Sequence, residues 1–216
     1  MTLKPHLINE KNNFISGWYI NENLCDRLIK YFENHEDKKP GKLGSDKGRV
    51  NPKEKDSVDL CLSSFLLEDP LEDYLKSLSV VMEHYKQQYP ESSYKLASWG
   101  IFEWYNIQRY MPGQGYHKWH CENAGDDFSM RRHLTFMTYL NDVTDGGETA
   151  WKFQNEKVKP EKGLTVIWPA TWMFTHRGVP SQTQTKYIAT GWYNFRWLKT
   201  VIIILKMLFH KMCVTK

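Results

Sequence analysis

The chain has 216 residues, 41% of them apolar, 25% charged and 14% aromatic, with a formal charge of +4. The apolar share excludes a disordered chain, and the length suits one domain or one domain with an elaborated end. The positive charge sits at that end, where Arg196, Lys199, Lys206, Lys211 and Lys216 occur without an acid; the rest is close to neutral, so no nucleic-acid partner is expected.

The predicted elements begin at Asn21, a plausible N-cap for a helix that repeats Leu24, Leu28 and Phe32 on one face. Residues 35–56 change character, with twelve charged residues, three glycines and two prolines. That composition predicts a mobile surface loop, the sharper alternative being a lid that orders over substrate. A second helix is expected between Glu68 and Tyr89, burying Leu71, Leu75, Leu78 and Met82 with Tyr74, Val81 and Tyr85. After Pro90 the pattern switches. The runs from Trp99 to Tyr110, Leu134 to Leu140, Leu164 to Trp168 and Tyr187 to Phe195 are short and rich in β-branched and aromatic residues. Turn signals such as Pro112-Gly113 and Asp145-Gly146-Gly147 separate them. Helices first and many short strands later predict a mainly β protein, with N-terminal helices packed outside an antiparallel sandwich or barrel. The layout is a helical support region over 1–97, a barrel over 98–195 and a basic hydrophobic tail over 196–216.

The tail segment Trp197 to Phe209 is too short, and too interrupted by Lys206, to span a bilayer. It reads as a helix docked on the domain or on a second subunit, as a basic helix at an anionic membrane surface, or as a poorly ordered end. Cys25, Cys61, Cys121 and Cys213 lie at wide spacings with no CxxC pair, so structural zinc and a disulfide scaffold are not indicated. Met1 to Phe14 has no apolar run behind its Lys and His, so no signal peptide is expected and the location is read as cytoplasmic.

The chemistry is concentrated in Tyr110-Met-Pro-Gly-Gln-Gly-Tyr-His-Lys-Trp-His120-Cys-Glu122. In extended chain, positions i and i+2 share a face, so His120 and Glu122 point together and His117 points away. A zinc pair His117-x-x-His120 would need a helix, which the Pro112-Gly113-Gln114-Gly115 lead-in opposes. One imidazole and one carboxylate make half a metal site, and the third ligand must come from another strand. His133 starts a strand beside two arginines and His210 lies in the tail. His176 is the better candidate, closing an aromatic run before Arg177-Gly178-Val179-Pro180. Two histidines and a carboxylate leave half of an octahedral shell open, which suits non-heme Fe(II) binding a co-substrate and dioxygen together.

These residues belong to a longer pattern. In order come the Tyr–Gly–His-x-acid segment, Arg132-x-x-Thr135, Tyr139-Leu140-Asn141-Asp142-Val143 and Gly146-Gly147-Glu148-Thr149. Pro160-x-x-Gly163, His176-x-Gly-x-Pro180 and Lys186 leading to Trp192 follow. From roughly Tyr105 to Tyr193 the chain resembles the prolyl 4-hydroxylase-like branch of the Fe(II)- and 2-oxoglutarate-dependent dioxygenases. The resemblance implies a double-stranded β-helix, a jelly-roll, cupin-like barrel. It carries His120, Glu122 and His176 over as iron ligands and Lys186 as the partner of the distal 2-oxoglutarate carboxylate. Tyr110 and Tyr139 match positions that flank or bond the co-substrate. Thr190 and Trp192 share strand parity with Lys186 and are expected in the same pocket. Glu122 departs from the aspartate usual in the family but keeps the charge and both oxygens, so iron binding is expected to survive.

The implied reaction hydroxylates an unactivated C–H bond, peptidyl proline first among substrates, with O2 consumed, succinate and CO2 released and ascorbate required as reductant. Another peptide residue, a free amino acid or a small metabolite is the alternative substrate. A non-catalytic barrel that binds a ligand or protein is the rival of another class, though all of His120, Glu122, His176 and Lys186 are present.

Overall fold

The computed structural model describes residues 2–8, 13–44, 48–94 and 97–196. Helix α1 (Glu22–Asn34) starts where Asn21 accepts a hydrogen bond from the backbone N–H of Asn23 at 2.8 Å, and it buries Leu24, Cys25, Leu28 and Phe32. Helix α2 (Leu71–Gln88) buries Leu71, Tyr74, Leu78, Val81 and Tyr85 and leaves Leu75 and Met82 half-buried. The strands are β1 (Pro5–His6), β2 (Ser16–Tyr19), β3 (Lys39–Pro40), β4 (Val58–Leu62), β5 (Trp99–Gly100) and β6 (Tyr105–Tyr110). They continue as β7 (Arg132–Tyr139), β8 (Thr149–Trp151), β9 (Glu156–Val158), β10 (Leu164–Pro169), β11 (His176–Gly178) and β12 (Lys186–Phe195).

Nine strands form one antiparallel sheet, in the order β1-β2-β10-β7-β12-β6-β4-β3 with β5 beside β12. A smaller sheet runs β11-β8-β9. The fold is mainly antiparallel β with two α-helices among the described residues, as the strand-rich second half of the sequence predicts. Four strands lie before Pro90, where only helices and loop were anticipated. β1 and β3 are two residues each, and β2 contains Gly17, so local pattern carries little strand signal there. Their pairing with longer strands supplies it.

Alternation sorts the large sheet into two buried faces. Leu60, Leu62, Tyr105, Ile107, Leu134, Phe136, Ala189 and Tyr193 face the helices in one core. Residues of the opposite parity, Tyr110, Met137, Tyr139, Val166, Trp168 and Ile188, share a second core with Trp151 and Val158 of the small sheet. That inner face is the floor of the site. Buried bonds fix the helices to the outer face: Tyr74 Oη lies 2.9 Å from Thr138 Oγ1, and Tyr193 Oη donates to Leu78 O at 3.1 Å. Glu33, at the end of α1, accepts both a 3.0 Å bond from Arg109 and a 2.6 Å bond from Tyr187.

Segment 35–56 is not simply a surface loop in its described parts. β3 pairs with β4, Leu43 exchanges backbone hydrogen bonds with Arg49, and Leu43 and Lys55 are buried. Among the described residues no helix is long and apolar enough to cross a membrane. The expectations for the tail segment 197–209 lie outside the described residues.

Gly191 has no room for a side chain, because a Cβ there would stand 2.6 Å from Phe136 Cζ and 2.7 Å from Tyr105 Cβ. Gly191→Ala is therefore expected to lower stability by about 1–3 kcal/mol in urea denaturation.

Candidate metal and co-substrate site

The segment between β6 and β7 is irregular rather than a continuous strand, yet it is pinned at its functional residues. His120 and His176 exchange reciprocal backbone hydrogen bonds at 3.0 and 2.8 Å, and the backbone N–H of Glu122 donates to Ala170 O at 3.1 Å. His120, Glu122 and His176 converge, their ligating atoms all within 4.8 Å of one another.

The rings are oriented by their far nitrogens. Nδ1 of His120 lies 2.9 Å from Lys118 O, and Nδ1 of His176 lies 2.9 Å from Phe174 O. A carbonyl can only accept, so each Nδ1 carries the proton and each neutral ring turns an Nε2 lone pair inward. Those two nitrogens stand 3.4 and 3.3 Å from the same atom, Glu122 Oε1. Burial, and then the neighbouring His176, lower the pKa of His120. Burial pushes the Glu122 carboxyl up, but hydrogen bonds and charge from the imidazoles when they take up a second proton outweigh it and hold it well below the usual range. Two lone pairs and an anion repel unless a positive species lies between them. A proton serves without metal, and the N2O donor set fits a divalent cation.

The opening is a cavity of roughly 850 Å³ whose wall includes all three donors. Lys186, Thr190 and Trp192, on the inner face of β12, line it as their shared parity predicts, and Tyr110 of β6 joins them. Lys186 is 4% exposed, and Nζ donates to Gly147 O at 2.9 Å and sits 5.0 Å from the Tyr110 ring centroid. Among the described residues it has no carboxylate partner within ion-pair distance. Burial lowers its pKa to about 8, against a smaller opposing pull from Glu148. An anion is what such a group lacks. Trp168, also in the wall, has a buried indole N–H with no partner among the described residues.

Tyr139 is not brought into the cavity wall. Its hydroxyl donates to Thr149 Oγ1 at 2.8 Å and approaches Val158 O at 3.1 Å, so it braces the floor between the sheets. Tyr110 is also committed, donating to Gln108 Oε1 at 2.7 Å. His133, set aside as a ligand, turns away and lies 2.8 Å from Ser92 O. Arg132 pairs with Glu103 at 2.9 Å and also reaches Glu122.

Three features escaped the sequence reading. Tyr116 stacks on the His120 ring, with centroids 3.6 Å apart and planes inclined by 11°. Its even parity with His120 and Glu122 was a usable signal. Lys55 and Asp59 form a nearly buried pair at 2.6 Å, to which Gln108 adds a bond at 3.2 Å. The Lys55–Asp59 spacing is local, but the burial of the pair and the bond from Gln108 of β6 are not legible in it. The third is the indole N–H of Trp192, which donates to Glu122 Oε2 at 2.9 Å.

The comparisons with known proteins agree with this geometry. Residues 105–194 match the model of the 2OG-Fe(II) oxygenase superfamily. A prolyl-4-hydroxylase from Pseudomonas putida superposes with a TM-score of 0.65 at 17% identity, over 86% of this chain and 95% of that one. The viral collagen prolyl hydroxylase of Paramecium Bursaria Chlorella virus-1, in its 2OG complex, gives 0.62 at 20% identity, over 88% and 100%. A Trichoplax adhaerens prolyl hydroxylase, in complex with a hypoxia inducible factor oxygen degradation domain peptide fragment, gives 0.62 at 18% identity, over 85% and 84%. No curated protein matches the chain in sequence. The fold is the double-stranded β-helix shared with these prolyl hydroxylase structures, and the superfamily match falls within its strand-rich second half.

Burying Lys186 without an acid costs stability while it is charged. Its folded pKa of about 8 lies below the 10.5 of an unperturbed lysine, so the unfolded chain binds the extra proton between those values and stability rises with pH across that window. Lys186→Met is expected to be more stable than the parent at pH 7 by roughly 2–3 kcal/mol. The gap should shrink from pH 8 towards 10.5, as measured by denaturant titration in buffers free of 2-oxo acids.

Proposed function

We propose that this chain is an Fe(II)- and 2-oxoglutarate-dependent dioxygenase that hydroxylates an unactivated C–H bond, with peptidyl proline as its substrate. Residues 98–195 form the catalytic barrel and residues 1–97 its support. One observation carries the reading: three inward-facing donor atoms share a cavity with a buried, acid-free lysine. His120, Glu122 and His176 would hold the iron, and Lys186 would pair with the distal carboxylate of 2-oxoglutarate. Bound together, these groups supply the oxidative chemistry in which dioxygen is consumed and 2-oxoglutarate leaves as succinate and CO2, with ascorbate as reductant.

The protein's part is orientation and charge. The backbone carbonyls of Lys118 and Phe174 keep both Nε2 atoms facing the centre. Tyr116 packs flat against His120 and restricts its ring. Lys186 supplies a charge-assisted hydrogen bond worth about 1.5–3 kcal/mol, and the co-substrate's carboxylate in turn favours the charged lysine. Thr190 and Trp192 line the same pocket beside Tyr110.

The wall chemistry supports a neutral, ring-bearing substrate. Apart from Lys186 and the metal-site donors, two pairs of charges in the wall neutralise each other, Lys55 with Asp59 and Arg132 with Glu103. Aromatic surfaces remain, with Trp104 59% and Phe128 40% exposed. A pyrrolidine ring in a peptide matches such a surface, and the open mouth admits a chain. The three described cysteines are free, which suits a reducing cytoplasm.

The test starts without a substrate. Fe(II) and then 2-oxoglutarate are added to the apoprotein in the absence of oxygen, and the visible charge-transfer band of the chelate is titrated. The parent is expected to show the band. Glu122→Ala should lose it, and Lys186→Ala should need at least about tenfold more 2-oxoglutarate. A folded, iron-loaded parent without the band rejects the dioxygenase reading in favour of a binding module. With the band in hand, proline peptides should stimulate succinate release over the same peptides carrying alanine. Equal rates would move the substrate to another residue, a free amino acid or a small metabolite.

A further inference from the structure

Glutamate at position 122 is one methylene longer than the aspartate usual in the resembling family, and the structure shows what holds the added length. Oε1 faces the two histidines, while Oε2 accepts the Trp192 indole N–H at 2.9 Å. Arg132 lies over that indole, its guanidinium carbon 3.4 Å from the ring centroid. Its Nη1 donates to the backbone carbonyl of Glu122 at 3.1 Å and stands 3.7 Å from Oε2. On its other edge Arg132 is gripped by Glu103, through Nη2 at 2.9 Å and Nε at 3.2 and 3.3 Å. Asn194, next on the same face of β12 after Trp192, donates to Glu103 and sits in register with Arg132.

We propose that Trp192, held in place by Arg132, is a positioning residue that ties down the outer oxygen of Glu122, so that the longer acid presents a single oxygen to a bound cation. The inference rests on the metal-site reading above. A carboxylate can bind a cation through one oxygen or two. Glutamate, with one more rotatable bond than aspartate, reaches the two-oxygen arrangement more readily when both oxygens are free. Two-oxygen binding would fill a coordination position that a chelating co-substrate needs. With Oε2 bonded to the indole, that position stays open. An aspartate would end about 1.5 Å short of the indole, so the tie belongs to glutamate.

The test uses Co(II) as a redox-inert probe in the full chain, with d–d spectra and 2-oxoglutarate titrations in place of turnover. Trp192→Phe keeps a ring beneath Arg132 and removes only the donor. It is expected to leave Co(II) affinity within about threefold, to change the d–d spectrum, and to weaken 2-oxoglutarate binding to the Co(II) form about tenfold. The same substitution added to Glu122→Asp is expected to change 2-oxoglutarate affinity by less than about twofold. Trp192→His, which restores a ring N–H, should recover part of the loss. Trp192→Tyr replaces Trp192→Phe if the latter does not fold. An equal loss in both backgrounds would mean that Trp192 touches the co-substrate directly, and would overturn the proposal while sparing the metal site. An unchanged spectrum and affinity would overturn it as well. A parent that binds no Co(II) would remove the metal reading and this inference together.

Discussion

The reciprocal backbone hydrogen bonds between His120 and His176 are the tie on which the site depends. One histidine lies in the irregular passage between β6 and β7, the other in β11 of the small sheet, 56 positions along. Neither segment has a long ladder to hold it. Their mutual pairing and the bond from Glu122 to Ala170 bring three side chains to one point. The imidazole contacts to Lys118 O and Phe174 O then determine which nitrogen each ring offers. Position comes from backbone pairing, and chemistry from the proton it leaves on the far nitrogen.

The large sheet serves two purposes through one alternation. Its outer face is apolar and takes the helices, which stabilises the sheet by burial of apolar surface. Its inner face carries Lys186, Thr190 and Trp192 on one strand and Gln108 and Tyr110 on the next. A polar wall of this kind is unfavourable by itself, because buried polar groups need partners. Most have them: Lys55 with Asp59, Arg132 with Glu103, Tyr110 with Gln108. Lys186 is a charged group that holds one backbone carbonyl and, among the described residues, no acid. The outer face stabilises a scaffold on which the inner face can keep one charge poorly matched.

Much of this was legible in the residues. Asn21 and the four-residue repeat of Leu24, Leu28 and Phe32 located α1, and the aromatic and β-branched runs located β6, β7, β10 and β12. Parity alone grouped Thr190 and Trp192 with Lys186. Strands β1 to β4 were not legible, since short segments become strands only when a neighbour offers its hydrogen bonds. Tyr139 shows the limit of matching a residue to a pattern. The side chain points inward as expected, but its hydroxyl is bonded to Thr149 and Val158 beneath the cavity.

The sequence by itself determined the residue types, the order of elements and the faces on which side chains fall, because helix and strand periodicities are local properties of the backbone. It therefore placed His120 beside Glu122 and Lys186 beside Trp192. Tertiary structure decided which separate segments meet: His176 with His120, Gln108 with Asp59, and Trp192 with the outer oxygen of Glu122. Those meetings depend on strand register and on the packing of one sheet over another, which couple residues far apart in the chain through distances of a few ångströms. No local pattern encodes such distances.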